Sequence, residues 1–171
     1  MQIQDLVKDY NKGKTHEFIF FWTGPFSQWD QCGFTHNGIY YRTAEHWMMS
    51  EKARLFGDFE TKGKILKSSH PSDAKKLGRN VVGFNQKIWD RVKFQIVVNG
   101  NFLKFENRKE ILLDTGNKVL VEASPVDVIW GIGLSEDDPK CLDPRRWKGQ
   151  NLLGFALMEV RDILRKSTTP A

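Results

Sequence analysis

The chain has 171 residues, and 26 Lys plus Arg against 21 Asp plus Glu give it a formal net charge of +5. With 40% hydrophobic and 12% aromatic residues, the composition excludes a disordered or low-complexity chain and predicts one domain that needs no disulfide or metal staple. No apolar run approaches the roughly 18 residues of a membrane span, and the N-terminus lacks the pattern of a secretory signal. We therefore expect a cytoplasmic protein in which Cys32 and Cys141 are free thiols.

The N-terminal part of the chain predicts one strand and one hairpin. Residues 1–16 are polar and form a lead-in with room for a short helix, whereas the aromatic run at 17–22 predicts a buried strand. Residues 33–42 predict a hairpin, because Asn37 and Gly38 suit the positive φ angles of a type I′ turn.

The rest of the chain predicts mostly helices. In order they are a helix from the cap Thr43 to about Phe56, a shorter one at 59–68, a turn or two at 72–77, and a long helix capped by Asn85 that continues through 106–113. A strand at 119–123 precedes a loop at 124–150, and Asn151 caps a final helix that buries Leu153, Ala156, Leu157, Val160 and Leu164. The predicted fold class is α+β: a mostly helical single domain over 17–166 with a small sheet and a hairpin, followed by a tail at 167–171.

The helix at 43–56 places two charges where apolar residues are expected. At about 100° per residue, His46 and Ser50 fall on its polar side, whereas Glu45 and Lys52 fall near the middle of its apolar side. Unpaired buried charges are costly, so the two residues either form a structural pair, about 10 Å apart along the axis, or line a pocket. The pocket is favoured, because perturbed charges cluster at functional sites.

The loop at 124–150 contains a second candidate site. Loops of this length are usually functional or disordered, and this one carries Trp130 and Trp147, which favours function. Asp127 stands three residues before Trp130, and Gly131 follows, a residue type that lets a ligand approach the backbone closely. A strand end with a tight turn is the other interpretation, but a loop after a strand is a common place for a site.

Two weaker groups of candidate residues lie elsewhere. The turn at 24–29 combines small, hydroxyl, amide and aromatic side chains, including Phe26 and Ser27, a mixture that binds sugars, bases or phosphates but also occurs in ordinary loops. Arg79 is suited either to holding a phosphate or to ending a helix. Trp89, on an apolar helix face, belongs either to the core or to a stacking surface.

Several known types of site are absent from the sequence. It has no Gly-x-x-x-x-Gly-Lys loop and no Gly-x-Ser-x-Gly motif, and its four histidines and two cysteines lack metal-ligand spacing. We therefore expect neither a metal nor a cofactor. Carboxylates beside aromatic residues remain, and these suit either cleavage of a glycosidic bond or simple binding of a nucleoside.

A series of short motifs runs through about residues 17–165. They are Pro25-Phe26-Ser27, Thr43-Ala44-Glu45-His46-Trp47-Met48 with Lys52-Ala53, Ala74-Lys75-Lys76-Leu77-Gly78-Arg79, Trp89-Asp90, Lys104-Phe105, Leu120-Val121-Glu122-Ala123-Ser124, Asp127-x-x-Trp130-Gly131-x-Gly133 and Trp147-x-Gly149-x-Asn151-x-Leu153-Gly154. In this order they resemble the NADAR, or YbiA-like, N-glycosidase family. So many separate matches in sequence make the resemblance specific.

The resemblance implies an α+β fold and metal-independent N-glycosidase activity on ribosides. Two substrate classes belong to the family. One is ADP-ribose attached to guanine in nucleic acid, and the other is the phosphoribosyl-pyrimidine intermediates of riboflavin synthesis. We expect one of these as the partner molecule and no association with a membrane.

The resemblance also implies roles for individual residues. Glu45 would stabilise an oxocarbenium-like charge or activate water, Lys52 would keep Glu45 ionised or act as a nucleophilic amine, and Asp127 would orient the ribose or assist the leaving base. Ligand binding is expected from Phe26, Ser27, Arg79, Trp89, Trp130, Gly131 and Asn151, with the two tryptophans stacking on the base.

Two other functional classes compete with the enzyme. One is a non-catalytic module that binds ADP-ribose or nucleotides, and the other is a DNA-binding protein, which only the basic charge suggests. A pure binding module does not need both an inward carboxylate and an inward lysine, which favours the enzyme. Nucleotide binding that does not weaken with salt would separate the first class from the second, because phosphate-driven DNA binding falls steeply with salt.

Overall fold

Helices form most of the structure, as the sequence predicts. The computed structural model describes residues 1–168. Its elements in chain order are α1 Ile3–Asn11, β1 Phe18–Phe21, β2 Phe34–His36, β3 Ile39–Tyr41, α2 Ala44–Leu55, α3 Phe59–Lys67, α4 Pro71–Arg79, α5 Gln86–Phe105, α6 Glu110–Leu113, β4 Val119–Glu122 and α7 Leu152–Thr168. The chain divides into two compact units, the first made of residues 1–27 and the chain from 109 onward, the second of residues 28–108. The α+β class is confirmed, whereas residues 169–171 of the predicted tail lie outside the described residues.

The first unit is built on two parallel strands covered by a helix. β1 pairs with β4 in a register that places Phe18 opposite Val119 and Phe21 opposite Glu122. α7 packs against β4, and its predicted apolar face is buried as expected. Because parallel strands end at the same edge of a sheet, the segments that follow β1 and β4 leave from one edge.

Asn151 joins the start of α7 to β4. Its Nδ2 donates to the carbonyl oxygen of Leu120 at 2.9 Å, and its Oδ1 accepts the N–H of Glu122 at 2.9 Å. The prediction that Asn151 directly precedes α7 is confirmed, but its side chain does not cap the helix. Asn151 is fully buried, and its side chain satisfies backbone groups of β4. Its observed role is therefore structural.

The second unit joins a hairpin to four packed helices. Asn37 and Gly38 have φ angles of 49° and 74°, which confirms the predicted turn between β2 and β3. α2 packs against α3, α4 and α5. Trp47 of α2 donates its indole N–H to the carbonyl oxygen of Ile96 at 2.9 Å. A Cβ at Gly100 would lie 2.8 Å from the indole nitrogen of Trp47, so α2 and α5 approach each other closely because this position has no side chain.

The chain between α3 and β4 differs from the prediction at two places. His70-Pro71 starts α4, because proline fits the first helical position and the His70 ring accepts the N–H of Ser72 at 3.2 Å. The predicted turn or two is therefore a helix of nine residues. After α5, the continuous helix predicted over 106–113 is replaced by a turn and the short α6.

The long loop after β4 has a structural tryptophan. Trp147 is 9% exposed and donates its indole N–H to the carbonyl oxygen of Cys141 at 2.7 Å. The sequence favours a functional loop partly because of this tryptophan, but the structure places Trp147 in the core. Both cysteines are free, as predicted. None of the helices within residues 1–168 combines the length and the apolar character needed to cross a bilayer.

Candidate active site

Glu45 lies in the first turn of α2, as predicted. Thr43 caps the helix by accepting the N–H of His46 at 3.3 Å. Glu45 is only 3% exposed, and its N–H donates to the carbonyl oxygen of Gln28 at 3.0 Å. A carboxylate near a helix N-terminus is stabilised by the helix dipole. Glu45 is therefore buried near the start of α2, and Gln28 holds its backbone.

The predicted polar side of α2 is not exposed to solvent. His46 and Ser50 are 1% and 0% exposed. The His46 ring contacts Thr43 Oγ1 at 2.8 Å and the carbonyl oxygen of Ser68 at 3.1 Å. Burial lowers the pKa of His46, so the ring is neutral at pH 7. α2 is thus buried on nearly all sides of its N-terminal half, because α3, α4 and α5 surround it.

Lys52 lies against aromatic rings. Its Nζ is 4.2 Å from the ring centroid of Phe84 and 5.6 Å from that of Trp89. Burial lowers the pKa of Lys52, the charge of Glu45 opposes this shift, and Arg79 adds to it. The structure therefore places Lys52 against Trp89, and the charges of Glu45 and Arg79 lie near enough to affect the pKa of Lys52. A lysine held among aromatic faces and poor in solvent is a better nucleophile than an ordinary lysine.

Phe84 is a member of this group that the sequence analysis missed. It is 38% exposed, whereas Trp89 is 8% exposed, so Phe84 offers a ligand more ring surface than Trp89 does. Phe84 also packs edge-on against Phe56, with ring centroids 5.3 Å apart. The signal that could have revealed it is an aromatic residue between Gly83 and the helix cap Asn85.

In the first unit, Asp127 shapes the loop after β4. Its Oδ1 accepts the N–H groups of Ile129 at 2.9 Å and Trp130 at 2.8 Å, the pattern of an Asx turn. Within residues 1–168 its Oδ2 accepts no hydrogen bond, and the residue is half-buried. The turn thus holds one carboxylate oxygen, whereas the other accepts no hydrogen bond from the described residues.

Gly131 serves internal packing rather than the open approach predicted for it. A Cβ there would lie 2.9 Å from the carbonyl oxygen of Glu122 and 3.0 Å from that of Asp127. The residue is buried, and the protein's own backbone occupies the space that a side chain would need. The requirement for glycine is therefore explained without a ligand.

Phe26 and Ser27 follow β1, at the sheet edge where the loop after β4 also begins. Phe26 packs edge-on against Phe21 with ring centroids 5.6 Å apart. The N–H of Ser27 donates to the carbonyl oxygen of Gly24 at 3.0 Å, and Ser27 is 8% exposed. Within the first unit, the common edge places these two residues and the Asp127 loop at the ends of neighbouring strands.

Lys104 on α5 is a second inward charge that the sequence analysis did not single out. Its side chain is fully buried, and its Nζ lies 3.6 Å from Asp30 Oδ2. Burial lowers its pKa from 10.5 to about 8, although Asp30 and Cys32 act in the opposite direction. The signal was present in the sequence, since Val97, Asn101 and Lys104 recur at helical spacing.

The buried Lys104 predicts an unusual dependence of stability on pH. Between pH 8 and 10.5 the unfolded lysine keeps a proton that the folded one has lost, so the free energy of unfolding rises with pH in this window. In urea denaturation, the free energy of unfolding of the wild type should rise relative to that of Lys104→Met as the pH increases above 8. The increase should reach up to about 1.4 kcal/mol per pH unit. Parallel curves for the two proteins would contradict the buried, titrating amine.

Two further features of the second unit lie apart from this group. A cleft of about 270 Å³ is lined by residues that include Tyr41, Trp47, Glu51 and Arg54, and it contains none of the predicted site residues. In residues 1–168, no three His, Cys, Asp or Glu side chains are grouped in a way that could hold a metal ion.

Comparison with known proteins identifies the family. The profile of the NADAR domain matches residues 15–165. The chain is 46% identical over 145 residues to "N-glycosidase R617" of Acanthamoeba polyphaga mimivirus, covering 80% of this chain and 85% of that protein. It is 32% identical over 144 residues to "N-glycosidase YbiA" of Shigella boydii, covering 82% and 81%.

A solved structure supports the same relationship. The NMR structure of the E. coli protein YbiA superimposes with a TM-score of 0.73 at 28% sequence identity, covering 92% of this chain and 91% of that one. The family profile and the relatives each extend over most of the sequence, and the motifs that carried the resemblance fall inside the matched region. The chain belongs to the NADAR domain family.

Proposed function

We propose that this protein removes ADP-ribose from guanine bases in nucleic acid by hydrolysing the N-glycosidic bond. Its relatives along most of the chain are named N-glycosidases, and the protein is accordingly a hydrolase that acts on N-glycosyl bonds. The observation that carries the proposal is half-buried Lys52 against Phe84 and Trp89, with the charge of buried Glu45 near enough to raise the pKa of Lys52.

The proposed reaction breaks the bond between ribose C1 and the base nitrogen and adds water. As the bond lengthens, positive charge develops on the sugar, and a carboxylate beside it lowers the barrier. Glu45 stabilises this charge or removes a proton from the attacking water. The hydroxyl ends on C1, and the base leaves with a proton. Asp127, whose Oδ2 accepts no hydrogen bond from the described residues, is proposed to orient the ribose or assist the leaving base.

Two roles suit Lys52, and each follows from its surroundings. The positive charge of Lys52 favours the ionised form of Glu45 by electrostatic attraction. In turn, the negative charge of Glu45 raises the pKa of Lys52. Burial still lowers this pKa overall and so increases the fraction of neutral amine, which could attack C1 as the base departs and be displaced by water afterwards. In the second case the lysine–sugar adduct opens at the ring oxygen to a Schiff base, which borohydride reduces to a stable secondary amine and water would otherwise hydrolyse. Borohydride during turnover should therefore trap a lysine–sugar adduct only in that case.

The substrate class rests on chemistry that both family substrates share. Each carries ribose and phosphate, which suits a chain with a net charge of +5 and the cationic Arg79 near Lys52. ADP-ribosyl-guanine in nucleic acid adds a large aromatic base, which can stack on the aromatic side chains. It also adds a phosphate backbone, which the basic charge of the protein attracts, so it fits this protein better than the pyrimidine does.

A direct comparison of substrates tests the proposal. Purified protein is incubated with a guanine-ADP-ribosylated oligonucleotide and with a ribosylamino-pyrimidine phosphate, and the released base and sugar are followed by mass spectrometry. Release of ADP-ribose with recovery of unmodified guanine is the expected result. Release from the pyrimidine alone would replace the substrate class, and binding of ADP-ribose without hydrolysis of either compound would indicate a binding module.

A further inference from the structure

A short segment of the second unit, Gln28–Asp30, holds the backbone of Glu45. The carbonyl oxygen of Gln28 accepts the N–H of Glu45 at 3.0 Å. The first N–H groups of a helix have no partner within the helix itself, so this bond supplies what α2 cannot. It fixes the peptide from which the Glu45 side chain projects.

α5 anchors both ends of this segment. Asn101 Nδ2 donates to Gln28 Oε1 at 2.8 Å and to the carbonyl oxygen of Val97 at 2.9 Å. One helical turn further on, Lys104 Nζ lies 3.6 Å from Asp30 Oδ2. Residues three apart lie on the same face of a helix, so one face of α5 holds the segment at two points.

Stability alone does not explain these anchors. Asn101 and Lys104 are 0% and 2% exposed. Gln28 Nε2 and Asn101 Oδ1 are buried, and neither has a hydrogen-bond partner among residues 1–168. Buried polar atoms without partners destabilise a fold, and apolar residues often replace a buried ion pair without loss. Buried groups that lower stability are typical of functional sites, where they hold other side chains in a required orientation.

We propose that Asn101 and Lys104 are positioning residues, which act through the Gln28–Asp30 segment to fix the orientation of Glu45. The inference rests on the proposed function, in which Glu45 is the carboxylate next to the reacting sugar. Neither residue needs to touch the substrate. Removing either anchor therefore lowers the rate of reaction more than the affinity for substrate.

The first test separates turnover from binding and stability. In Lys104→Met, kcat is expected to fall about 10- to 100-fold, with KM changed less than about threefold. Thermal denaturation is measured alongside, since Asp30 keeps Arg108 as a partner at 3.8 Å and the variant should stay folded at the assay temperature. Asn101→Leu removes the other anchor without touching the ion pair and should have the same effect. The matched control is Lys93→Met on the same helix, which removes a lysine 2.6 Å from Asp90 and should keep kcat within about twofold.

The second test reads the hydrogen bond between the Glu45 N–H and the Gln28 carbonyl without using activity. Hydrogen exchange of the Glu45 amide, measured by NMR on the full chain, should become at least tenfold faster in Lys104→Met and Asn101→Leu and stay unchanged in Lys93→Met. Unchanged exchange in both anchor variants would overturn the inference, as would a loss of kcat matched by a similar loss in the control. A wild type inactive on every riboside would refute the proposed function instead, while the exchange measurement still decides the positioning role.

Discussion

Replacing Glu45 with glutamine is expected to lower kcat about 10²- to 10⁴-fold while the protein stays folded and binds its ligand. General acid–base or electrostatic assistance by one positioned group is worth that much, and glutamine keeps the shape of the side chain but loses its charge and basicity. Because Glu45 is only 3% exposed, the neutral side chain removes a buried charge rather than creating one, so the melting temperature should not fall. Initial rates, calorimetric binding and thermal denaturation together check the prediction.

Glu51→Gln is the matched control for this change. Glu51 lies on the same helix, and its carboxylate pairs with Arg54 at 2.9 Å. The helical repeat turns it away from the Glu45 side. It should keep kcat within about twofold of the wild-type value. A near-normal rate in folded Glu45→Gln, or an equal loss in Glu51→Gln, would remove Glu45 from its assigned role.

Replacing Gly154 with alanine should cost about 3 kcal/mol or more of the free energy of unfolding. A Cβ at this position in α7 would overlap the carbonyl oxygen of Leu120 and lie 2.6 Å from Asn151 Nδ2. Neither neighbour can yield freely, because Leu120 belongs to β4 and accepts a hydrogen bond from Asn151. Overpacking usually costs about 1–3 kcal/mol, and here the loss of that hydrogen bond adds to it. Urea denaturation measures the change.

Gly63→Ala provides the matched comparison. Gly63 lies inside α3, and a Cβ there meets nothing within 4 Å. Alanine favours a helix over glycine by about 0.8–1.0 kcal/mol, so this variant should be slightly more stable than the wild type. Equal urea midpoints for Gly154→Ala and Gly63→Ala would show that α7 and β4 are not packed as closely as the structure places them.

Local sequence patterns predicted most of the elements and the centre of the candidate site. The Asn37-Gly38 turn, the caps Thr43 and Asn85 and the apolar face of α7 depend on residues close in sequence, and the structure confirms them. Helical spacing alone also predicted that Glu45 faces inward, and the structure buries it, whereas Lys52 is only half-buried. These predictions succeeded because hydrogen bonds and periodicity within about ten residues determine them.

The sequence by itself thus determined the fold class, the family motifs and the inward position of Glu45 on its helix. Only the tertiary structure decided what Asn151, Gly131 and Trp147 do, because their partners are backbone atoms brought close by folding. An asparagine directly before a helix predicts a helix cap. In the structure, however, the side chain of Asn151 donates to the carbonyl oxygen of Leu120 in a strand 31 residues earlier in the chain. The Asn101 and Lys104 anchors were hidden for the same reason: the physical value of a polar side chain lies in the partner that it meets, and periodicity predicts only the face on which it lies.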